Sequence, residues 1–408
     1  MDKEYILKHK EIPVLLFKLN EDFELSDIGK IFDNQRLPFG LKYERNEKAQ
    51  YKQMSDWIEN RGLPRGRSDL VYIQKDMKAR NSKDLAFGSY ALNLTDQYWA
   101  HKSNLDLKWN DLNFFDNTFE ELISFDVNGV FQRNNKILAA PDLTVDGSLR
   151  KKWVSKDKER YLLKSSRYDE SQEPFNEVIA SEIMNEFGIE HVEYGLVRNE
   201  SNNMPLSICK CMVNRNTEFI PAQVVKDMEL KQNRNDYERF IDICKKRGIN
   251  DVKEKLDEMI AIDYIIGNTD RHTGNFGIIR EANSLEWIKM VPIFDNGNSF
   301  CHDVKNVDDV KRNQDTVCRW YPESNYEKLG LMEYPEWYSE NKGENIKNIV
   351  YDILRKNENI KEEKREALVE IVNIRIKEFE KLIRKKKRQI TDTGLVREPG
   401  WFPNNSTI

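Results

Sequence analysis

The chain has 408 residues, room for two or three domains of ordinary size. It is 39% hydrophobic and 33% charged, with a mean hydropathy of −0.76, so a substantial core sits under a strongly hydrated surface. The net charge of −5, with both signs mixed along the chain, gives no reason to expect a nucleic-acid or membrane partner, and the lack of any run of about 18 apolar residues excludes a spanning helix.

Residues 1–128 read as a mixed N-terminal region in which no chemistry is legible. Met1–Asn20 has only the short apolar run Val14–Phe17, without the apolar stretch of a secretory leader. Val14–Phe17 predicts a strand. Lys48–Asn60 predicts a helix, with Gly62 just past its end and Pro64 beyond. Thr95–Trp99 and Phe115–Ile123 are rich in aromatics and are expected to pack. The five cysteines, Cys209, Cys211, Cys244, Cys301 and Cys318, form no CxxC pair and no metal-ligand spacing, which points to a reducing, cytoplasmic setting.

Residues 129–215 change character. Short β-like runs at Trp153–Val154, Tyr161–Lys164, Tyr194–Val197 and Leu206–Val213 flank a helical pattern over Glu173–Phe187, which Gly188 stops. This predicts a small α/β lobe. Cys209 and Cys211 alternate along the last run and read as small core residues.

Residues 216–390 are mainly helical in pattern. Val252–Ile266 predicts a buried helix ending at Gly267-Asn268. A hairpin follows, with strands Phe276–Ile279 and Trp287–Phe294 and a turn near Asn283. Helices are expected near Ile346–Leu354 and from Lys361 to about Lys387. The last carries an apolar stripe of Leu368, Val372, Ile376, Phe379 and Ile383 that should face the core. The basic run Arg384–Arg388 reads as a solvated helix end favoured by the helix dipole, with nucleic-acid contact as the alternative. Residues 391–408 form a polar tail.

The most informative segment is Gly267-Asn-Thr-Asp270-Arg271-His272-Thr-Gly-Asn275-Phe276-Gly277, between the buried helix and the hairpin. The second hairpin strand then runs into Phe294-Asp295-Asn296-Gly297. Phosphoryl transfer needs a carboxylate near the acceptor hydroxyl and oxygen ligands that hold Mg²⁺ against the phosphates. An Asp, an Asn five residues later and an Asp returned by a hairpin supply those groups, and hard Mg²⁺ prefers oxygen. Any one of these taken alone would read as an ordinary turn residue; the combination is what points to catalysis.

This segment resembles the catalytic loop of HipA-type serine/threonine kinases, Asp-x-His-x-x-Asn followed by a metal-binding Asp at a strand end. A similar Asp-Arg-His-x-x-Asn loop occurs in phosphatidylinositol kinases. The resemblance implies Asp270 as catalytic base, Asn275 and Asp295 as Mg²⁺ ligands, and His272 as support for the loop or the transferring phosphoryl group. Upstream, Lys164 ends an apolar strand and Glu177 follows near the start of a helix, in a Gln172–Glu177 run like that of HipA-type kinases. A strand Lys paired to a helix Glu positions ATP phosphates in kinases; alone, the two would read as a surface Lys and a first-turn Glu. Leu143–Trp153, with Thr144, Gly147 and Ser148, matches the polar loop before the lobe, implying a phosphate-covering segment with an autophosphorylation site at Thr144 or Ser148. Backbone near Cys211–Val213 would meet the adenine.

The resemblance thus implies an α/β (α+β) bilobal protein-kinase-like fold: N-terminal domain 1–128, β-rich small lobe 129–215 and helical large lobe 216–390. It implies ATP and Mg²⁺ as cofactors, a protein Ser/Thr hydroxyl as acceptor and an antitoxin-like partner. A lipid kinase, an inactive kinase-like binding module and a nucleic-acid-binding regulator are the alternatives.

Overall fold

The computed structural model describes residues 2–38, 41, 47–67, 69–119, 141–144, 149–167, 170–228, 235–312, 316–317, 324–333 and 335–392. The N-terminal domain starts as an antiparallel meander of β1 (Lys3–His9), β2 (Ile12–Leu19) and β3 (Leu25–Ile31). Helices α1 (Glu47–Arg61), α2 (Leu70–Met77) and α3 (Ser82–Gly88) follow, and β4 (Tyr98–Lys102) returns to pair with β1. Alternation along β1 and β2 sends Tyr5, Leu7, Leu15, Phe17 and Leu19 inward, and the register shift opposite Leu7 and Lys8 leaves Val14 buried as well. Met54 and Ile58, four apart on α1, cover them. Gly62 follows α1 as expected. Glycine suits this position because Ser82, at the start of α3, comes within 2.7 Å of where a Cβ would stand. Of the two aromatic stretches, the first packs with Tyr98 and Trp99 buried, while Phe115 and Phe119 of the second are half-buried against the cluster of Trp109, on the short α4 (Trp109–Leu112), and Phe114. Residues 120–123 of the second aromatic stretch lie outside the described residues.

The small lobe holds the sheet β5 (Lys151–Lys156), β6 (Glu159–Lys164), β7 (Tyr194–Arg198) and β8 (Pro205–Lys210), antiparallel in the order β5-β6-β8-β7. All four strands fall on the expected runs. The last ends at Lys210 rather than Val213, although Cys211 N–H still reaches the Arg160 carbonyl at 2.7 Å. Helix α5 (Gln172–Phe187) ends at Gly188, whose φ of +73° closes the helix in the left-handed region. Its Phe175, Ile179, Ile183 and Phe187 pack into the apolar core of the large lobe, so α5 belongs to both lobes.

The large lobe contains β9 (Thr217–Pro221), α6 (Ala222–Asp227), α7 (Asp236–Lys246), α8 (Val252–Ile266), β10 (Gly277–Glu281), β11 (Trp287–Met290), α9 (Val307–Arg312), α10 (Asn325–Lys328), α11 (Glu340–Leu354) and α12 (Glu362–Asp392). The expected hairpin is β10–β11, joined by the unexpected β9. The second hairpin strand is shorter than expected because the chain leaves the sheet after Met290; Ile293 makes only an isolated bridge to His191. Helix α8 has the expected bounds, and all five stripe residues of α12 are buried. No helix among the described residues is long and apolar enough to cross a membrane.

One buried network joins the N-terminal domain to this lobe. Glu218 on β9 meets His9 Nε2 at 2.7 Å and Arg280 of β10 at 2.6 Å, and accepts from Gln97 N–H at 2.8 Å. Arg280 also donates to the Tyr98 hydroxyl at 3.0 Å.

Candidate active site

Helix α8 delivers the 267–277 loop. Gly267 turns the chain with φ +65°, and a Cβ there would collide with the Arg375 guanidinium of α12. Asp263, buried in the last turn of α8, accepts from Asn268 Nδ2 at 3.0 Å, and the Asn268 side-chain oxygen accepts from Asp270 N–H at 2.9 Å. The loop is wound around Arg271, which is fully buried. Its guanidinium pairs with Asp263 at 2.9 Å and donates to the Asn275 carbonyl at 3.1 Å, the Phe294 carbonyl at 2.5 Å and Asn296 Oδ1 at 2.6 Å. One side chain therefore holds α8, the loop and the segment entering Asp295 in a single register. The planar five-donor fork makes this possible, and the ion pair with Asp263 offsets burying the charge.

Asp270 is set by the same two segments. Its Oδ2 accepts from Asn298 Nδ2 at 2.8 Å, and its carbonyl accepts from Asn275 Nδ2 at 3.2 Å. Thr269 closes the contact through its N–H and hydroxyl, both donated to the Asn298 carbonyl at 3.0 and 3.1 Å. His272 Nδ1 accepts from Gly274 N–H at 3.0 Å, so the neutral ring carries its proton on Nε2. His272 thereby braces the tight turn of its own loop.

Across the cleft, Lys164 at the end of β6 lies 2.7 Å from Glu177 Oε1 on α5 and 2.7 Å from Asp295 Oδ1. The Tyr194 hydroxyl stands 3.3 Å from the same ammonium and accepts from Asp295 N–H at 3.2 Å. Glu177 Oε2 accepts from Asn296 N–H at 2.8 Å. Burial alone would push the Lys164 pKa down, but the carboxylates of Asp295 and Glu177 outweigh it and raise it well above its ordinary value. Burial opposes ionisation of Asp295, yet Lys164 and Lys151 hold its pKa far below the usual carboxylate range. Glu177, enclosed on all sides, is pushed up by burial. The ion pair is thus set up with a charged lysine and an ionised Asp295. Asp295 sits at φ +59°, and Phe300 and Cys301 at +51° each, so the segment after β11 concentrates left-handed backbone where functional strain is often stored.

The donor set suits Mg²⁺. Asn275 brings an amide oxygen and Asp295 an ionised carboxylate, and Arg271 anchors the backbone beside each of them. Among the described residues no cluster of three His, Cys, Asp or Glu side chains could hold a metal by itself. A hard cation here would complete its shell with phosphate oxygens and water, which is how Mg²⁺ prefers to bind.

The structure brings together Lys164, Glu177 and Asp295 in one cluster and Asp270, His272 and Asn275 in one loop, with Arg271 joining the two. Thr144 is placed otherwise. It is buried, with its hydroxyl donated to the Leu92 carbonyl at 2.8 Å, in the seam against the N-terminal domain. Gly147 and Ser148 lie outside the described residues. The Cys211 thiol approaches the Leu94 carbonyl at 3.4 Å, and burial pushes its pKa up to about 12. The backbone N–H of Cys211 is already donated to the Arg160 carbonyl of β6 at 2.7 Å. Sequence reasoning passed over Arg271, Asp263, Asn298 and Tyr194. Arg271 was visible inside the motif, but nothing in its spacing marked it as the internal pin.

A small antiparallel sheet carrying a lysine that a neighbouring helix holds through a glutamate, set over a helical lobe whose loops present Asp, Asn and Asp, is the architecture of the protein-kinase-like class. Within that class, the family model of the HipA-like C-terminal domain matches residues 133–359, and the chain belongs to this family. The serine/threonine-protein kinase CtkA of Helicobacter pylori is 28% identical over 203 residues, which are 45% of this chain and 55% of that protein. The chain therefore spans little more than half the length of that relative. A crystal structure of the Helicobacter pylori proinflammatory kinase CtkA aligns with a TM-score of 0.45 at 18% identity, covering 60% of this chain and 95% of that one. HipA, in the Shewanella oneidensis toxin–antitoxin complex with HipB and operator DNA, aligns with a TM-score of 0.55 at 10% identity over 94% of this chain and 99% of the other. Over most of its length the chain therefore has the fold of that HipA structure.

Proposed function

We propose that this protein is an ATP- and Mg²⁺-dependent kinase that transfers the γ-phosphoryl group to a Ser or Thr hydroxyl of a protein. The observation that carries the reading is Lys164 held at 2.7 Å from both Glu177 and Asp295, opposite a loop whose Asp270 and Asn275 are locked to the Asp295 segment through Arg271. The homology to a serine/threonine kinase supports the acceptor class.

In this reading Asn275 and Asp295 hold the metal, which would neutralise the charge developing on the phosphates as ATP supplies the phosphoryl group. Glu177 keeps Lys164 extended over the phosphates. Asp270 accepts the proton of the acceptor hydroxyl, with Asn298 fixing the tilt of its carboxylate. His272 holds the loop. The work is one of positioning and electrostatics, as phosphoryl transfer requires.

Regulation by phosphorylation of the 144–148 loop belongs to the same proposal. Since Thr144 is buried with its hydroxyl engaged, Ser148 is the better acceptor. A phosphate there adds about −1.5 to −2 charge; where the loop has to fold over ATP, that charge would repel the nucleotide phosphates and lower activity. An antitoxin-like partner and a cytoplasmic setting complete the reading. Incubating the protein with labelled Mg-ATP and a cell lysate tests it. Label should pass to Ser or Thr of a protein, and transfer to lipid alone, or no transfer by protein that binds ATP, would overturn it. Mass spectrometry of the same incubation should find phosphate on Ser148, and an unmodified Ser148 in active protein removes the regulatory part.

A further inference from the structure

The start of α5 carries three side chains that meet the segment after Asp295. Gln172 and Asn176 are four apart and share one face of the helix, and Glu177 adjoins them. Asn176 is completely buried. Its Nδ2 donates to the Gly297 carbonyl and to the Ser299 carbonyl, both at 2.8 Å, and its Oδ1 accepts from Gln172 Nε2 at 3.2 Å. The same Gln172 amide donates to the Phe300 carbonyl at 2.8 Å. Only the nitrogen end of the Asn176 amide can stand between two carbonyls, so chemistry fixes its orientation. A buried amide is costly unless satisfied, and here both of its protons are engaged by the carbonyls on either side of Asn298.

Asn298 is the residue that meets the base. Its Nδ2 donates to Asp270 Oδ2 at 2.8 Å, and its carbonyl accepts the N–H and the hydroxyl of Thr269. A side chain aims only as well as its backbone is held. Thr269 holds the Asn298 carbonyl from the loop side, and Asn176 holds the carbonyls before and after it from the helix side. Glu177, one residue along, accepts the Asn296 N–H and pairs with Lys164. Phe175 and Ile179 of α5 are buried in the large-lobe core, so the helix is a rigid mount.

We propose that Asn176 is a positioning residue for Asp270: by bracketing Asn298 it sets the carboxylate that receives the acceptor proton. The proposal rests on the kinase reading and deepens it. Neighbouring residues of one helix then serve the two halves of the site, Glu177 the lysine on the nucleotide side and Asn176 the base on the acceptor side. Asp295 is held by Lys164, by Tyr194 and, through the Phe294 carbonyl, by Arg271, in bonds that do not involve Asn176. The contribution of Asn176 is therefore to the rate of transfer and not to nucleotide binding.

The test is a double-mutant cycle on the rate of label transfer from saturating Mg-ATP to the proteins of a cell lysate, with calorimetry of Mg-ATP on each protein. Asn176→Leu, close in size and without donors, should lower the rate about ten- to a hundredfold, as a misplaced base does, while Mg-ATP affinity stays within about threefold of wild type. Asn298→Ala should lose rate in the same range. Because Asn176 acts through Asn298, adding Asn176→Leu to Asn298→Ala should cost less than about twofold more. Should Asn176→Leu not fold, Asn176→Ala, which also lacks donors and relieves any clash of the branched chain, carries the same cycle. A wild-type rate in the folded variant overturns the proposal. Losses that multiply in the double variant overturn it too, because they make Asn176 a structural residue independent of Asn298. A fall in Mg-ATP affinity as large as the fall in rate places Asn176 on the nucleotide side and likewise overturns it. Each of these leaves the kinase reading standing. Wild-type protein that binds Mg-ATP and transfers no phosphate to protein overturns that reading, and this proposal with it.

Discussion

The cleft cluster of Lys164, Glu177 and Asp295 and the seam cluster of His9, Glu218 and Arg280 are made of the same kinds of group. Each ties two parts of the chain through buried ion pairs of 2.6–2.7 Å. They differ in what is left open. Glu218 and His9 are 1% exposed and closed in by Gln97 and Tyr98, on β-strands without left-handed residues. In the cleft, Asp295 keeps 27% of its side chain exposed, on left-handed backbone beside an amide-bearing loop. Buried charge alone therefore marks a joint. A site also needs an accessible carboxylate, strained backbone and neighbours with hard oxygen donors.

Variants at the two clusters should fail in different ways. Asp295→Ala should abolish transfer, a loss of about 10³-fold or more, because metal charge neutralisation is worth several kcal/mol. Folded Asp295→Ala protein that transfers phosphate at the wild-type rate would remove the site assignment. Asp270→Asn should cost about 10²–10⁴ in turnover while leaving Mg-ATP affinity within a few-fold, since a base acts on the acceptor. Calorimetry beside turnover measurements separates this from a metal-ligand role, in which ATP binding would also collapse.

At the seam, Glu218→Ala should cost about 3–5 kcal/mol of stability by leaving Arg280 buried without its carboxylate. Turnover per folded molecule should be unchanged, so a denaturant titration and an activity assay at low temperature must disagree. If turnover falls in step with that of Asp295→Ala, the seam is part of the catalytic machinery and the distinction fails.

The smallest effect is one of pH. Although burial raises the Glu218 pKa, His9 and Arg280 bring it down to about 2 from the ordinary 4.5. A depressed carboxylate stabilises the fold above its unfolded pKa, and this is lost as pH falls through the folded one. The contribution should therefore fade between about pH 4.5 and pH 2, by about 3 kcal/mol for a shift of this size. Glu218→Gln should flatten that part of the stability–pH curve, and a curve that superimposes on the wild type would deny the seam its ionised carboxylate.

The site was legible to different depths. Asp270, Asn275 and Asp295 could be read because a single loop and hairpin carry them, so short-range spacing encodes their meeting. Lys164 and Glu177 needed the resemblance as well, since a strand Lys and a first-turn Glu are common apart. Arg271 could not be assigned its task, because its partners come from α8, its own loop and the chain around Asp295. Thr144 reads, by resemblance alone, as part of a polar phosphate-covering loop. It is buried because Leu92, far away in sequence, presents a carbonyl to it.

By itself, the sequence determined α5 and α8 through their periodicity and glycine stops, α12 through its apolar stripe, and the residue types at the catalytic loop. Helical spacing and turn chemistry are local, and local rules suffice for them. Only the tertiary structure decided that β9 completes the hairpin sheet, that α5 is packed into the large lobe, and that Glu218 seals the N-terminal domain onto β9 and β10. It also decided that Lys151 stands opposite Lys164 across the β5–β6 pair. These depend on which distant surface each element meets. That choice is made by the burial of whole faces and the pairing of buried charges, and neither has a period that can be read along the chain.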